Sequence, residues 1–140
     1  MSSHEDLARR FIDAHNQGVE AVLAGYDEFL DPEFEWSPAV VGGLEENSYR
    51  GYEGVRRYYA DRDEAFEDST IELVSLSQIA DDLLVLHIRS RGRGRASGAG
   101  LDEEVGLVWR LRDGRILKSR AYTSHAEALA AASAEATVDA

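Results

Sequence analysis

The stretch Val105 to Leu129, VGLVWRLRDGRILKSRAYTSHAEAL, limits what this chain can fold into more than any other part of it. Val105, Leu107, Trp109 and Leu111 alternate with Gly106, Val108 and Arg110, the period-two pattern of a strand with one buried face. Arg112, Asp113 and Gly114 mark a turn, a second strand follows, and a helix begins near His125. Two registers fit this hairpin. A two-residue Asp-Gly loop sets Lys118 opposite Trp109 and Arg120 opposite Leu107. A three-residue loop with Gly114 in the left-handed conformation sets Leu117 opposite Trp109 and Ser119 opposite Leu107. A one-residue slip turns every side chain to the other face, so burial decides. Two unpartnered cations on an apolar face are costly. The three-residue loop is therefore expected, with Leu107, Trp109, Leu117, Ser119 and Ala121 facing inward and Thr123 extending that face.

The remaining elements must pack around this hairpin. The 140 residues suffice for one domain with a real core and are too few for two, so a single domain over 1–140 is expected. The formal net charge of −12 excludes nucleic acid and anionic membrane as natural partners, since both demand a basic footprint. Without cysteine there is no disulfide, thiolate nucleophile or cysteine metal site. Neither a signal-peptide pattern nor a bilayer-spanning apolar run is present, and a cytoplasmic protein is the expectation.

Ahead of the hairpin, Ser3 is placed to cap a helix over about His4–Asn16 that Gly18 ends, with Leu7, Phe11, Ala14 and His15 on one stripe. A second helix is expected from Val19 to about Leu30, closed by Pro32. Phe34-Glu35-Trp36 is a short strand, and the Gly-rich, acidic run from Val40 to Arg50 is a loop. A third helix runs from Gly51 or Tyr52 to Phe66, its stripe formed by Val55, Tyr58 or Tyr59, the stem of Arg62, and Phe66. Strands follow over Ser69–Ala80 and Leu83 to about Arg95. Leu84, Leu86, Ile88 and Ser90 share one face of the latter, with His87, Arg89, Arg91, Arg93 and Arg95 on the other. That basic row is expected to pair with Asp102, Glu103 and Glu104 across the next hairpin or with a second subunit. Gly92 and Gly94 suggest a bend. A helix over His125 to about Ala134 ends the pattern. Helices and antiparallel strands are segregated, which means α+β, and a strongly curved antiparallel sheet wrapped over three helices leaves a cone with an interior pocket.

PEFEW (Pro32–Trp36), YRGYEGVRRYY (Tyr49–Tyr59), RSRGRGRASG (Arg89–Gly98), VWRLRDGRI (Val108–Ile116) and HAEALAAA (His125–Ala132) together resemble the SnoaL-like group of the NTF2-like superfamily. The resemblance implies a cone-shaped α+β fold with an open-ended cavity, often dimeric through the outer sheet face. Its members include cyclases, isomerases, dehydratases and epoxide hydrolases beside non-catalytic binders, so the fold alone does not fix the activity. Ketosteroid isomerases of this superfamily use a tyrosine on the first helix, an aspartate at the end of the first strand and a second, protonated aspartate. The matching positions here hold Phe11, Trp36 and Leu107, which argues against that mechanism. Relatives with Trp, Glu and Asp in the last strand and its exit correspond to Ser119, Ala121 and Ser124 here, a roomier and less acidic wall.

His15, on the inward stripe of the first helix, and a cavity tyrosine, Tyr58 or Tyr59 as only one of the two is expected to face inward, are the acid/base candidates. As a structural residue, His15 would instead bond a nearby backbone group. Phe11, Tyr26, Trp36, Tyr49, Leu86, Ser90, Leu107, Trp109, Leu117, Ser119 and Ala121 are the expected ligand contacts; as plain core they would fill the cone themselves. The carboxylates Glu35, Asp61, Asp63, Glu64, Glu67 and Asp68 belong to solvated faces and lack convergent metal spacing, so neither metal nor organic cofactor is expected. No phosphate loop, GxSxG or HExxH occurs. Three readings follow. One is a cofactor-independent isomerase, cyclase or lyase acting on a hydrophobic carbonyl compound in an apolar cavity. The second is a non-catalytic binder of a hydrophobic ligand, and the third a dimerising accessory domain. A homodimer through the outer sheet face and a hydrophobic small molecule are the expected partners.

Overall fold

The computed structural model describes residues 3–41, 44–45 and 47–139. Helix α1 (Ser3–Gln17) buries Leu7, Ala8, Ile12 and Ala14 and ends at Gly18, whose φ of 120° few other residues adopt. The side chain of Ser3, the expected cap, lies outside the described residues. Asn16 fastens the end of α1 like an added strand: its amide donates to the Ile71 carbonyl and its side-chain oxygen accepts from the Ile71 N–H, both at 2.9 Å.

The expected second helix is two: α2 (Val19–Ala24) and α3 (Tyr26–Phe29), broken at Gly25. The chain is already extended at Leu30, two residues before Pro32. Tertiary pairing wins over helical pattern here. Strand β1 (Leu30–Ser37) runs parallel to β8 (Arg115–Tyr122), Leu30 opposite Ile116 and Trp36 opposite Ser119, with an irregularity between Leu30 and Glu35 that houses Pro32. Asp31 locks the entry: its carboxylate receives the Arg112 guanidinium at 2.7 and 2.9 Å and the Glu33 N–H at 2.8 Å.

Within the expected loop, β2 (Val40–Val41) and β3 (Leu44–Glu45) form a small ladder, and β4 (Tyr49–Arg50) pairs with β1. Helix α4 (Gly51–Ala65) follows, then β5 (Phe66–Ala80), β6 (Leu83–Gly94) and β7 (Gly100–Arg112). The main sheet has the order β4-β1-β8-β7-β6-β5 and is antiparallel except for β1 with β8. Its irregularities are most frequent along β5, which shifts register three times against β6, while β6 pairs regularly with β7. The first shift, at Asp68 and Ser69, lies opposite Gly92, where an added Cβ would sit 3.1 Å from the Ser69 hydroxyl.

The β7–β8 hairpin follows neither expected register. Asp113 and Gly114, with φ of 53° and 77°, form a two-residue turn that pairs Arg112 with Arg115 and Leu111 with Ile116. An extra residue in β8 then shifts the ladder, so that Lys118 faces Arg110, Ser119 faces Trp109 and Ala121 faces Leu107. Ser119 and Ala121 reach the concave side as expected. Leu117 does not: it is the extra residue, it lies on the convex side beside Lys118, and Ile116 is buried in its stead. Lys118 bonds Glu35 at 3.2 Å and Arg120 bonds Glu135, both away from the concave face.

At the centre of the sheet, both faces are covered. Leu84, Leu86, Ile88, Leu107 and Trp109 pack against the helices on the concave side. Leu83, Val85 and Val108 meet Ala128 and Ala132 of α5 (His125–Asp139) on the convex side. The convex basic row is paired much as expected, His87 with Glu104 and Arg89 and Arg91 with Asp102, whereas Glu103 turns to the concave side. Among the described residues, no helix is long and apolar enough to cross a membrane.

Helix α5 lies so close to β7 that a Cβ on Gly106 would be 2.5 Å from the Ala128 Cβ and 2.8 Å from the Ser124 carbonyl. Gly106→Ala is expected to lower stability by about 1–3 kcal/mol through overpacking. Gly100→Ala, where nothing lies within 4 Å, is the control and should change little. Thermal unfolding of the two variants checks this; equal losses would contradict the packing of α5.

Candidate functional site

A cavity of about 180 Å³ opens between α1, α4 and the concave face of the sheet. Its wall is largely aromatic. Phe11 stands edge-on to Trp109 with centroids 5.7 Å apart, and Trp36 stands edge-on to Tyr58 at 5.5 Å. Tyr58 in turn contacts Tyr59 and Tyr49, each at 5.4 Å. Edge-to-face contacts of this kind hold a rigid apolar surface.

Of the expected site residues, the fold brings Phe11, His15, Trp36, Tyr58, Tyr59, Ser90, Leu107, Trp109, Ser119 and Ala121 to this wall. Both tyrosines reach it, because the cavity wraps part of the way round α4. Four residues lie elsewhere. Tyr26 is buried against Tyr52 and donates its hydroxyl to the Asp31 carbonyl. Tyr49 sits behind Tyr58 and donates to Asp61. Leu86 is sealed in the concave core, and Leu117 is on the convex side. The positions that the family resemblance marks as catalytic, Phe11, Trp36 and Leu107, all line the cavity, so it is apolar where a ketosteroid isomerase carries its acids.

The polar centre is a pair. His15 Nδ1 and the Tyr59 hydroxyl are 2.6 Å apart, and His15 Nε2 is buried with no hydrogen-bond partner among the described residues. The Asn16 clamp and the glycine end of α1 fix the imidazole, while Tyr59 is only 4% exposed. Burial, followed by the nearby positive charge of Arg62, lowers the His15 pKa to about 3, so the ring is neutral at physiological pH. Burial pushes the hydroxyls of Tyr58 and Tyr59 upward, and both stay protonated. In one tautomer Tyr59 O–H donates to Nδ1; in the other Nδ1–H donates to the Tyr59 oxygen, leaving the Nε2 lone pair and the Tyr59 proton without a hydrogen-bond partner among the described residues.

Two charged residues complete the wall, and sequence pattern did not single out either as functional. Arg62 was expected to contribute only its stem, yet its guanidinium lies 5.8 Å from the Tyr59 ring centroid. Glu103 was expected in the convex ion pairs. Strict alternation from Leu107 through Val105 was the signal that could have turned it inward.

The comparisons agree with this architecture. Residues 8–119 match the family model of the SnoaL-like domain. A candidate SnoaL-like polyketide cyclase from Jannaschia sp. CCS1 superposes with a TM-score of 0.72 at 18% identity, over 94% of this chain and 92% of that one. An NTF2-like protein of unknown function from Burkholderia pseudomallei K96243 gives 0.73 at 18%, over 94% and 98%. A protein of ketosteroid isomerase-like fold from Catenulispora acidiphila DSM 44928, in complex with trimethylamine, gives 0.68 at 15%, over 90% and 91%. At such identities the likeness is one of fold. No functionally curated protein matches by sequence. With the matched family model spanning most of its length, the chain belongs to the SnoaL-like family.

Proposed function

We propose that the protein is a cofactor-independent isomerase or cyclase acting on a small hydrophobic carbonyl compound. The observation that carries this reading is the 2.6 Å His15–Tyr59 pair at the wall of an apolar cavity. In the tautomer with Nδ1–H directed to the Tyr59 oxygen, Nε2 takes a proton from the carbon next to the substrate carbonyl. Tyr59 O–H meanwhile donates to the oxygen as it gains negative charge. The electron pair of the broken C–H bond passes into an enolate, and returning the proton at another carbon completes an isomerisation. Attack of the enolate carbon on a second carbonyl forms the ring bond, and the alkoxide left on that carbonyl takes the proton back from Nε2 to complete a cyclisation. A base with a pKa near 3 is weak alone, but the imidazolium forms beside the enolate, and low polarity strengthens that ion pair. The names carried by structural neighbours, polyketide cyclase and isomerase, support the class. A cavity of about 180 Å³ favours a compact, single-ring substrate, since it falls below the roughly 300–1,000 Å³ of drug-sized sites.

The test is conversion of 3-cyclohexenone to its conjugated isomer, followed by ultraviolet absorbance. Wild type is expected to accelerate it, and His15→Gln and Tyr59→Phe are each expected to lower kcat by roughly 10²-fold or more. Equal rates in wild type and both variants would contradict the catalytic reading and leave a binder.

A neutral buried histidine also affects stability. Between pH 6.5 and about 3 the unfolded chain protonates His15 while the folded chain does not. Stability therefore falls as pH drops through this window, by about 1.4 kcal/mol per unit from this residue. Urea unfolding at a series of pH values should show a shallower slope in His15→Gln than in wild type. Identical slopes would contradict the burial of this imidazole.

A further inference from the structure

Of the chain's fourteen arginines, ten pair with carboxylates among the described residues. Of the other four, Arg57, Arg93 and Arg115 are exposed, and Arg62 is half-buried in the cavity wall. In a chain with 27 acidic residues against 15 basic ones, a partly buried arginine in a cavity wall with no carboxylate partner among the described residues is an unusual arrangement. Desolvating such a group is unfavourable unless something anionic meets it. Glu103, the other charge in the wall, is exposed and makes no ion pair with Arg62. What Arg62 does touch is the face of Tyr59, one residue of the polar pair, and its charge also bears on His15 and Tyr58.

We propose that the cavity takes a small hydrophobic carboxylate, its anionic group received by Arg62 and its apolar body lying among Phe11, Trp36, Tyr58 and Trp109. This rests on reading the cavity as a small-molecule site, and it narrows the substrate from carbonyl compounds in general to oxo acids. The planar guanidinium presents paired N–H donors that match both oxygens of a carboxylate, which a neutral wall does not provide. Held there, the acid places its remaining carbons beside the His15–Tyr59 pair. A positively charged ligand is disfavoured by the same group, despite the aromatic lining.

Trp36 and Trp109 are the chain's two tryptophans and both line the cavity, so their fluorescence reports occupancy. Benzoate, methyl benzoate and benzylamine are the probes. Wild type is expected to bind benzoate at least ten-fold more tightly than methyl benzoate, with benzylamine weakest. Arg62→Met should weaken benzoate at least ten-fold while leaving methyl benzoate within two-fold, which also shows that the variant is folded; Arg62→Lys should retain part of the benzoate affinity. Methyl benzoate or benzylamine binding wild type as tightly as benzoate would overturn the carboxylate assignment and leave the cavity reading intact. So would unchanged benzoate affinity in Arg62→Met. If none of the three perturbs the emission, both the assignment and the cavity reading fall.

Discussion

The concave face of this protein depends on one extra residue in β8. A two-residue turn alone would carry Lys118 and Arg120 into the cone. Leu117 absorbs one position, and Ser119 and Ala121 arrive opposite Trp109 and Leu107 instead. The cations then find Glu35 and Glu135 on the other side, where water and carboxylates balance them. Burying even one of them unpaired would cost several kcal/mol, a large share of the net stability of a domain this size. The apolar wall and the convex ion pairs are thus two results of the same local irregularity.

On that wall the chemistry is reduced to very little. Where the family resemblance implies acids, this chain has Phe11, Trp36 and Leu107, and the buried polar groups left on the wall are a neutral imidazole and a phenol. Each holds the other in place, and burial sets the charge of both. Arg62 acts on the pair twice, through the Tyr59 ring and through its field at His15. The site is therefore a neutral imidazole and a phenol at the wall of a largely apolar cavity, with Arg62 and Glu103 as its charged residues.

Much of the architecture was legible in the chain. Alternation in β6 and β7 and the helical stripes followed the expected faces because burial imposes period two on strands and 3.6 on helices. What escaped was non-local. A three-residue loop and a two-residue turn with an extra residue give Ser119 and Ala121 the same face, so burial could not separate them; only Leu117 differs. The stretch Val19–Leu30 keeps a helical stripe, yet pairing of Leu30 with Ile116 and the Asp31–Arg112 bond pull its end into a strand. The His15 site was half legible. The inward stripe named the imidazole, but its pairing with Tyr59, 44 residues away, and the approach of Arg62 come from the tertiary placement of α1 and α4 and leave no local mark. Tyr26 and Tyr49 looked equivalent to Tyr59 by residue type, and each instead bonds a neighbour outside the cavity.

The central claim is that His15 is held neutral by burial against Tyr59. Its most direct test is a pH titration of the four imidazoles by ¹⁵N-resolved NMR, with His15 assigned from the spectrum of His15→Gln. The account expects the His15 ring to stay neutral and in a single tautomer down to at least pH 5, far below the ordinary value of 6.5. A His15 titration centred near 6.5 would contradict it, because an imidazole that protonates so readily is solvated and is not buried against Tyr59.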